Sequence, residues 1–167
     1  FRSIKNAIKL TVESFNNLKA KLPALSYEYE VEAEFSYHFR HNGARGHAYD
    51  PIVASGKNAC TLHYSDNQDK LPKNELLLID IGARLDGYAA DITRTYTYGD
   101  VSDRHKAVHL EVETAHHKII ALLEPGLNVK DYFHTVDTIM LIALQNLGLV
   151  KEKSDYRKYF PHSISHG

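Results

Sequence analysis

The N-terminal part of the chain places apolar residues at the spacing of an amphipathic helix. The stripe includes Ile4, Ile8 and Phe15, and it predicts a helix that runs to about Lys21. Leu22-Pro23 would end this helix, because the residue before a proline is biased away from the helical region.

A second apolar stripe follows closely and predicts another helix. Ser26 can serve as its N-cap, and Glu28 and Glu30 suit the positive end of the helix dipole. The stripe consists of Val31, Phe35 and Phe39. Asn42-Gly43 would close the helix in the left-handed conformation common at helix ends.

Between His47 and Thr97 the pattern changes to short β-rich runs separated by turn residues. The predicted strands are Tyr49 to Ala54, Cys60 to Tyr64, Leu76 to Ala83 and Tyr88 to Thr97. They indicate an antiparallel sheet, because the intervening turns are short.

The helical period returns after Gly99. Ser102 can cap a third helix that reaches about Leu123, and Asn128 can cap a fourth that stops near Leu147-Gly148. Helices around an antiparallel sheet indicate an α+β fold, with no linker long enough to divide the chain into domains.

Composition narrows the function classes. The 167 residues are 43% hydrophobic and 25% charged, as expected of a globular protein. A net charge of -1 and the lack of a dense basic run argue against nucleic acid as a partner. The longest apolar stretch, residues 139–144, is far below the roughly 20 residues of a membrane span. The lone cysteine, Cys60, fits a reducing cytoplasm.

The segment from Leu76 to Arg94 predicts a β-hairpin with an Asp-Gly turn. With a two-residue turn, strand parity places Asp80 and Asp91 on the same face, directly opposed or on a diagonal, with Cβ atoms about 5 to 8 Å apart. A three-residue loop would break this parity.

Asp80 follows four aliphatic residues, so we expect an interior site where facing carboxylates repel each other unless a cation separates them. A pair of divalent metal ions is the simplest such cation. The alternative is a purely structural ion-pair network with one of three arginines, namely Arg45, Arg84 and Arg94.

The chain contains 11 histidines, an excess that suggests metal binding without establishing it. Most of those in helical stretches are expected to be solvated or partly buried. His63, His162 and His166 stand near predicted strands. Each alone suits an ordinary core or surface position, but an imidazole joined to two carboxylates is a sound partial ligand set for manganese, cobalt, iron or zinc.

Several motifs in order resemble the pita-bread metallopeptidases, and within them the Xaa-Pro aminopeptidases (aminopeptidase P) and prolidases. The resemblance covers nearly the whole chain. The motifs are Asn42-Gly43-Ala44-Arg45, Ala48 to Gly56, Asn58 to Tyr64, Asp80-Ile81-Gly82, Gly87-Tyr88, Asp91 to Tyr96 and His162 to Gly167.

The resemblance implies a pita-bread fold, here truncated, and two divalent metal ions, with manganese first and cobalt, zinc or iron as alternatives. The family holds these ions with two Asp, one His and two Glu, and the matching residues are Asp80, Asp91 and His166. The two glutamates lie downstream of that histidine in the family. His63 and His162 match histidines that line the active site and contact the substrate.

Residues 1–167 are therefore expected to be a partial catalytic domain, without the family's N-terminal domain and the C-terminal third of the catalytic domain. The implied activity is hydrolysis of the bond between an N-terminal residue and proline, either as an aminopeptidase or as a dipeptidase, with this fragment inactive alone. The implied partners are a peptide with proline in second position and, for the full-length protein, a second copy. The alternative is a non-catalytic scaffold that binds a peptide or protein.

Overall fold

The computed structural model describes residues 1–161 and 164, and the chain divides into two compact units, Phe1–Ser102 and Asp103–Gly167. The first unit contains helices α1 (Arg2–Lys21) and α2 (Glu28–His41) and strands β1 (Ile52–Ser55), β2 (Glu75–Ile81), β3 (Arg84–Leu85), β4 (Tyr88–Ala89) and β5 (Ile92–Tyr98). Two short 3-10 helices span Leu22–Ala24 and Gly56–Cys60.

Three strands of the first unit form an antiparallel sheet in the order β1-β2-β5, and β3 and β4 form a two-stranded ribbon. Alternate residues of β2, namely Leu77, Ile79 and Ile81, are fully buried. They belong to one apolar cluster with Phe35 and Phe39 of α2. Because side chains alternate across a strand, Asp80 lies on the opposite face of the sheet from this core.

The predicted ends of the first helices are close to the observed ones. Helix α1 ends at Lys21, as expected from Leu22-Pro23. Helix α2 begins at Glu28, so its N-cap is Tyr27 rather than Ser26. The shift follows from Glu30, whose carboxylate accepts hydrogen bonds from the backbone N–H groups of Ser26 at 2.5 Å and Tyr27 at 3.0 Å.

The prediction of a strand over Cys60 to Tyr64 is wrong. The chain turns at Gly56 (φ +52), forms the 3-10 helix Gly56–Cys60 and turns again at His63 (φ 54). Leu62, which the pattern assigned to a strand, is 64% exposed. Positive φ angles interrupt an extended strand, so the alternation of apolar residues in this segment does not correspond to a strand.

The second unit contains helices α3 (Asp103–Ile120), α4 (Val129–Asn146) and α5 (Tyr156–Tyr159). Asn128 caps α4 as predicted, because its side chain accepts hydrogen bonds from the N–H groups of Lys130 and Asp131. The described residues of this unit form one apolar cluster around Val136 and another around Leu144. Across the described part of the chain, every helix falls short of the length and apolar content required to cross a membrane.

Candidate metal centre

The hairpin that carries the two aspartates has the predicted two-residue turn. Leu85 pairs with Tyr88 around Asp86-Gly87, whose two φ angles are 53° and 81°. Such a pair of positive φ angles matches the right-handed twist of the strands. Further along, Asp80 pairs with Thr93 in the same register, which places Asp91 on the diagonal from Asp80 and on the same face. The sequence was compatible with two arrangements of Asp80 and Asp91, direct opposition or a diagonal, and the structure has the diagonal one.

A close backbone approach interrupts the hairpin beside Asp91. A Cβ atom on Gly82 would lie 1.6 Å from the carbonyl oxygen of Ala90, so only glycine fits at this position. The N–H of Ala90 in turn donates to the carbonyl of Ala83 at 3.0 Å. The strand predicted from Tyr88 to Thr97 is divided at Ala90 and Asp91 into β4 and β5.

The hydroxyl of Tyr49 joins the two carboxylates. It donates to Oδ1 of Asp80 at 2.5 Å and lies 3.1 Å from Oδ1 of Asp91. The two carboxylate oxygens are thus separated by less than the sum of two hydrogen-bond lengths. Sequence reasoning missed this residue: the motif Ala48 to Gly56 contains Tyr49, but a tyrosine before a strand gives no local signal of its partners.

Backbone hydrogen bonds explain how Tyr49 reaches the hairpin. The N–H of Ala48 donates to the carbonyl of Gly82 at 2.8 Å, and the N–H of Arg84 donates to the carbonyl of Gly46 at 2.9 Å. The segment that precedes Tyr49 therefore runs beside the stem of the hairpin. This pairing brings the tyrosine side chain to the face that carries both aspartates.

The three side chains differ in burial. Asp80 and Tyr49 are half-buried, whereas Asp91 is exposed, so the expectation of two interior carboxylates is wrong for Asp91. Burial raises the pKa of the Tyr49 hydroxyl above its ordinary value, and its bonds to Asp80 and Asp91 and their charges raise that pKa further. Tyr49 therefore remains a protonated donor at neutral pH.

The donor set fits a divalent cation. Paired carboxylates are hard oxygen ligands of the kind that manganese and similar ions bind. Asp80 accepts its hydrogen bond from Tyr49, and not from one of the three arginines that an ion-pair network would require. Among residues 1–161 and 164, no third His, Cys, Asp or Glu joins Asp80 and Asp91 in a group able to hold a metal ion.

Only one of the three predicted histidines lies within the described residues. His63 lies in an exposed turn after the 3-10 helix Gly56–Cys60. His162 and His166 lie outside the described residues. The roles of the three histidines, and of Asp80 and Asp91 as metal ligands, remain predictions.

Comparison with known proteins identifies the family. Metallopeptidase family M24 matches residues 2–167 of the chain. The chain belongs to metallopeptidase family M24. The Xaa-Pro aminopeptidase of Escherichia coli (strain K12) is 31% identical over 171 residues, which cover 98% of this chain and 39% of the relative.

Solved structures agree with this assignment. The low-pH form of aminopeptidase P from E. coli superposes on this M24 chain with a TM-score of 0.88 at 29% identity, covering 99% of this chain and 39% of that one. Zinc-substituted E. coli aminopeptidase P in complex with product gives a TM-score of 0.84 at 28% identity, with the same two coverages of 99% and 39%. The predicted pita-bread fold is confirmed, and the chain spans only 39% of these relatives' length.

Proposed function

We propose that this chain is part of an Xaa-Pro aminopeptidase, which hydrolyses the bond between an N-terminal residue and a following proline. The observation that carries the proposal is the Tyr49 hydroxyl between Asp80 and Asp91 in a chain of the M24 family. We further propose that residues 1–167 form a partial catalytic domain of a longer protein. Their coverage of 39% of the E. coli relative supports this extent.

In the proposed enzyme, Asp80, Asp91 and His166 hold two divalent ions, manganese in the first instance, with two glutamates from outside this chain. Divalent ions held in this way lower the pKa of water and polarise a carbonyl group. Tyr49 keeps the two carboxylates oriented through its shared proton. His63 and His162 donate hydrogen bonds to the substrate where negative charge develops on the carbonyl oxygen.

The proposed partners and compartment follow from the same function. The substrate is a peptide with proline in second position, and the full-length protein is proposed to associate with a second copy of itself. We place the protein in the cytoplasm, because the thiol of Cys60 is free and exposed, which suits a reducing compartment.

The test compares two Asp→Asn substitutions in one hairpin, made in the full-length protein. Asp91→Asn removes a proposed ligand charge, and we expect manganese-dependent cleavage of an Xaa-Pro peptide to fall to background with the fold retained. Asp86→Asn makes the same chemical change in the exposed turn, where asparagine also tolerates a positive φ. It should keep wild-type activity.

Full activity of the Asp91→Asn protein would show that the metal assignment is wrong. A folded wild-type protein that binds such peptides without cleaving them would favour the non-catalytic scaffold. The intact mass of the native protein tests the proposed extent, because a mass of 19.0 kDa would match this chain alone.

A further inference from the structure

A carboxylate in the core of the first unit has no place in the proposed chemistry. Glu28 stands at the start of α2 and its side chain is fully buried, with 0% exposure. Within the described residues no lysine, arginine or histidine forms an ion pair with it. A buried charge without a counter-ion requires hydrogen bonds to both of its oxygens.

Five hydrogen bonds meet this requirement. Oε1 of Glu28 accepts from the backbone N–H of Ser55 at 2.9 Å, from the Ser55 hydroxyl at 2.7 Å and from the Asn58 amide at 3.1 Å. Oε2 accepts from the Tyr64 hydroxyl at 2.7 Å and from the backbone N–H of Asp69 at 3.0 Å. Every donor belongs to Ser55 or to the segment of residues 56–70 that follows it.

These donors flank His63 in the chain. Asn58 precedes it, and Tyr64 follows it directly. The same Asn58 nitrogen lies 3.0 Å from the Tyr64 hydroxyl and 2.9 Å from the Asp69 carboxylate, so both sides of the turn meet at Glu28. The carboxylate of Glu28 thus closes the loop whose tip carries His63.

The backbone of His63 needs such support. Its φ of 54° lies in the left-handed region, which is unfavourable for a residue with a Cβ atom. Conformations of this kind persist where the surrounding structure fixes them, and they cluster at functional sites. His63 is itself exposed, so its own side chain is not held by core packing.

A second buried side chain, Asn67, attaches the same segment to α2 at Glu32, one helical turn after Glu28. Asn67 is 1% exposed, accepts from the N–H of Val53 at 2.9 Å and donates to the carboxylate of Glu32 at 2.9 Å. It also donates to the carbonyl of Pro51 at 2.9 Å. The segment is therefore attached to α2 through both Glu28 and Glu32, and to the start of the sheet through Val53.

We propose that Glu28 is a positioning residue, whose buried carboxylate fixes the segment of residues 56–70 and thereby holds His63 in place for the substrate. This inference rests on the proposed function, in which His63 contacts the substrate. The fixation itself is a structural property and can be measured without any peptidase activity.

The experiment uses the full-length protein with Glu28→Gln, and Glu34→Gln as the matched control on the same helix. In either orientation, glutamine sets an NH₂ group against the backbone N–H of Ser55 or of Asp69, from which it cannot accept a hydrogen bond. Hydrogen exchange across residues 56–70, followed by mass spectrometry, should become at least about tenfold faster, because these amides open more often. Glu34 bonds Lys21 at 2.5 Å, and Glu34→Gln should leave this exchange unchanged.

A double-mutant cycle tests whether Glu28 acts through His63 or only stabilises the fold. It compares kcat/KM for an Xaa-Pro peptide with and without His63. Glu28→Gln should lower kcat/KM about tenfold in the wild-type background, with the manganese requirement unchanged, and should have almost no effect when His63 is already alanine. Equal losses in both backgrounds would overturn the proposal. Unchanged exchange in the Glu28→Gln protein would overturn it as well.

Two further outcomes are distinguishable. If the wild-type protein does not cleave the peptide but Glu28→Gln accelerates the exchange, fixation of the segment is supported and the proposed function fails. If Glu28→Gln does not fold, Tyr64→Phe replaces it, because this substitution removes only one hydroxyl beside His63, with its hydrogen bonds to Glu28 and Asn58. It should accelerate exchange over the same residues to a smaller extent, and unchanged exchange in that variant would overturn the proposal.

Discussion

The hydroxyl of Tyr49 lies 2.5 Å from Oδ1 of Asp80, although the two residues are 31 positions apart in the chain. The same hydroxyl reaches Oδ1 of Asp91 at 3.1 Å. A donor shared in this way fixes how both carboxylates are turned. Groups that orient metal ligands in this manner commonly affect metal affinity strongly.

Replacing Tyr49 by phenylalanine should therefore weaken metal binding by the full-length protein. The substitution keeps the ring and removes only the shared donor, so we expect the manganese concentration for half-maximal activity to rise about tenfold or more. Tyr88→Phe is the control, because Tyr88 is 49% exposed in the same hairpin. Equal manganese requirements for the Tyr49→Phe protein and the wild type would contradict this role.

Gly82→Ala should destabilise the protein and displace Asp91 relative to Asp80. The new Cβ would lie 1.6 Å from the Ala90 carbonyl oxygen, so the backbone must move. We expect a loss of more than about 2 kcal/mol in the free energy of unfolding, measured with urea. Gly87→Ala isolates the effect of a positive φ of 81° in open space, and it should lose about 1 kcal/mol. Similar losses for the two variants would argue against the steric explanation.

Stability should depend on the titration of His47. Burial lowers the pKa of its imidazole, against a smaller opposing effect of Glu32. Its Nε2 atom lies 2.6 Å from the Ser36 hydroxyl, whereas Nδ1 is buried without a hydrogen-bond partner among the described residues. The folded state therefore favours the neutral ring.

The direction of the pH effect follows from this lowered pKa. The unfolded chain binds more protons than the folded one, so the contribution of His47 is complete above the unfolded pKa of about 6.5 and is lost as the pH falls through the folded pKa. Unfolding free energies from about pH 8 to pH 5 should decline less steeply for His47→Gln than for the wild type. His41→Gln, at an exposed position, should follow the wild-type curve.

The isolated 167-residue chain should bind manganese weakly and cleave Xaa-Pro peptides little or not at all. It offers three of the five ligands that the resemblance implies, namely Asp80, Asp91 and His166. Calorimetric titration with manganese, beside the full-length protein, checks the expectation. Strong manganese-dependent cleavage by the chain alone would refute it.

Local signals in the sequence predicted the helices and the hairpin well. The predicted end of α1 at Leu22-Pro23 and the predicted start of α4 at Asn128 are confirmed. Both signals act on neighbouring residues in the chain, which is why they can be recognised from the sequence. The turn at Asp86-Gly87 fixed the strand parity, and with it the shared face of Asp80 and Asp91. These features need no knowledge of distant residues.

The failures involve partners that are distant in sequence. The sequence predicts only a helix-dipole role for Glu28, yet this residue follows the spacing of Val31 and Phe35 on the buried stripe of α2. Its hydrogen bonds to Asn58 and Tyr64 cross about 30 residues of chain and fold the segment that the pattern assigned to a strand. The spacing of Glu28 indicated that its side chain is buried, but it could not identify the hydrogen-bond donors around the carboxylate.

The hairpin also has a consequence for the order of assembly. Asp80 and Asp91 meet through contacts between close neighbours in the chain, and contacts of this kind form quickly during folding. Tyr49 must arrive from a more distant segment, which closes a longer loop and is slower. We therefore expect the two carboxylates to come together before Tyr49 reaches them, so that the hairpin first forms without their common donor.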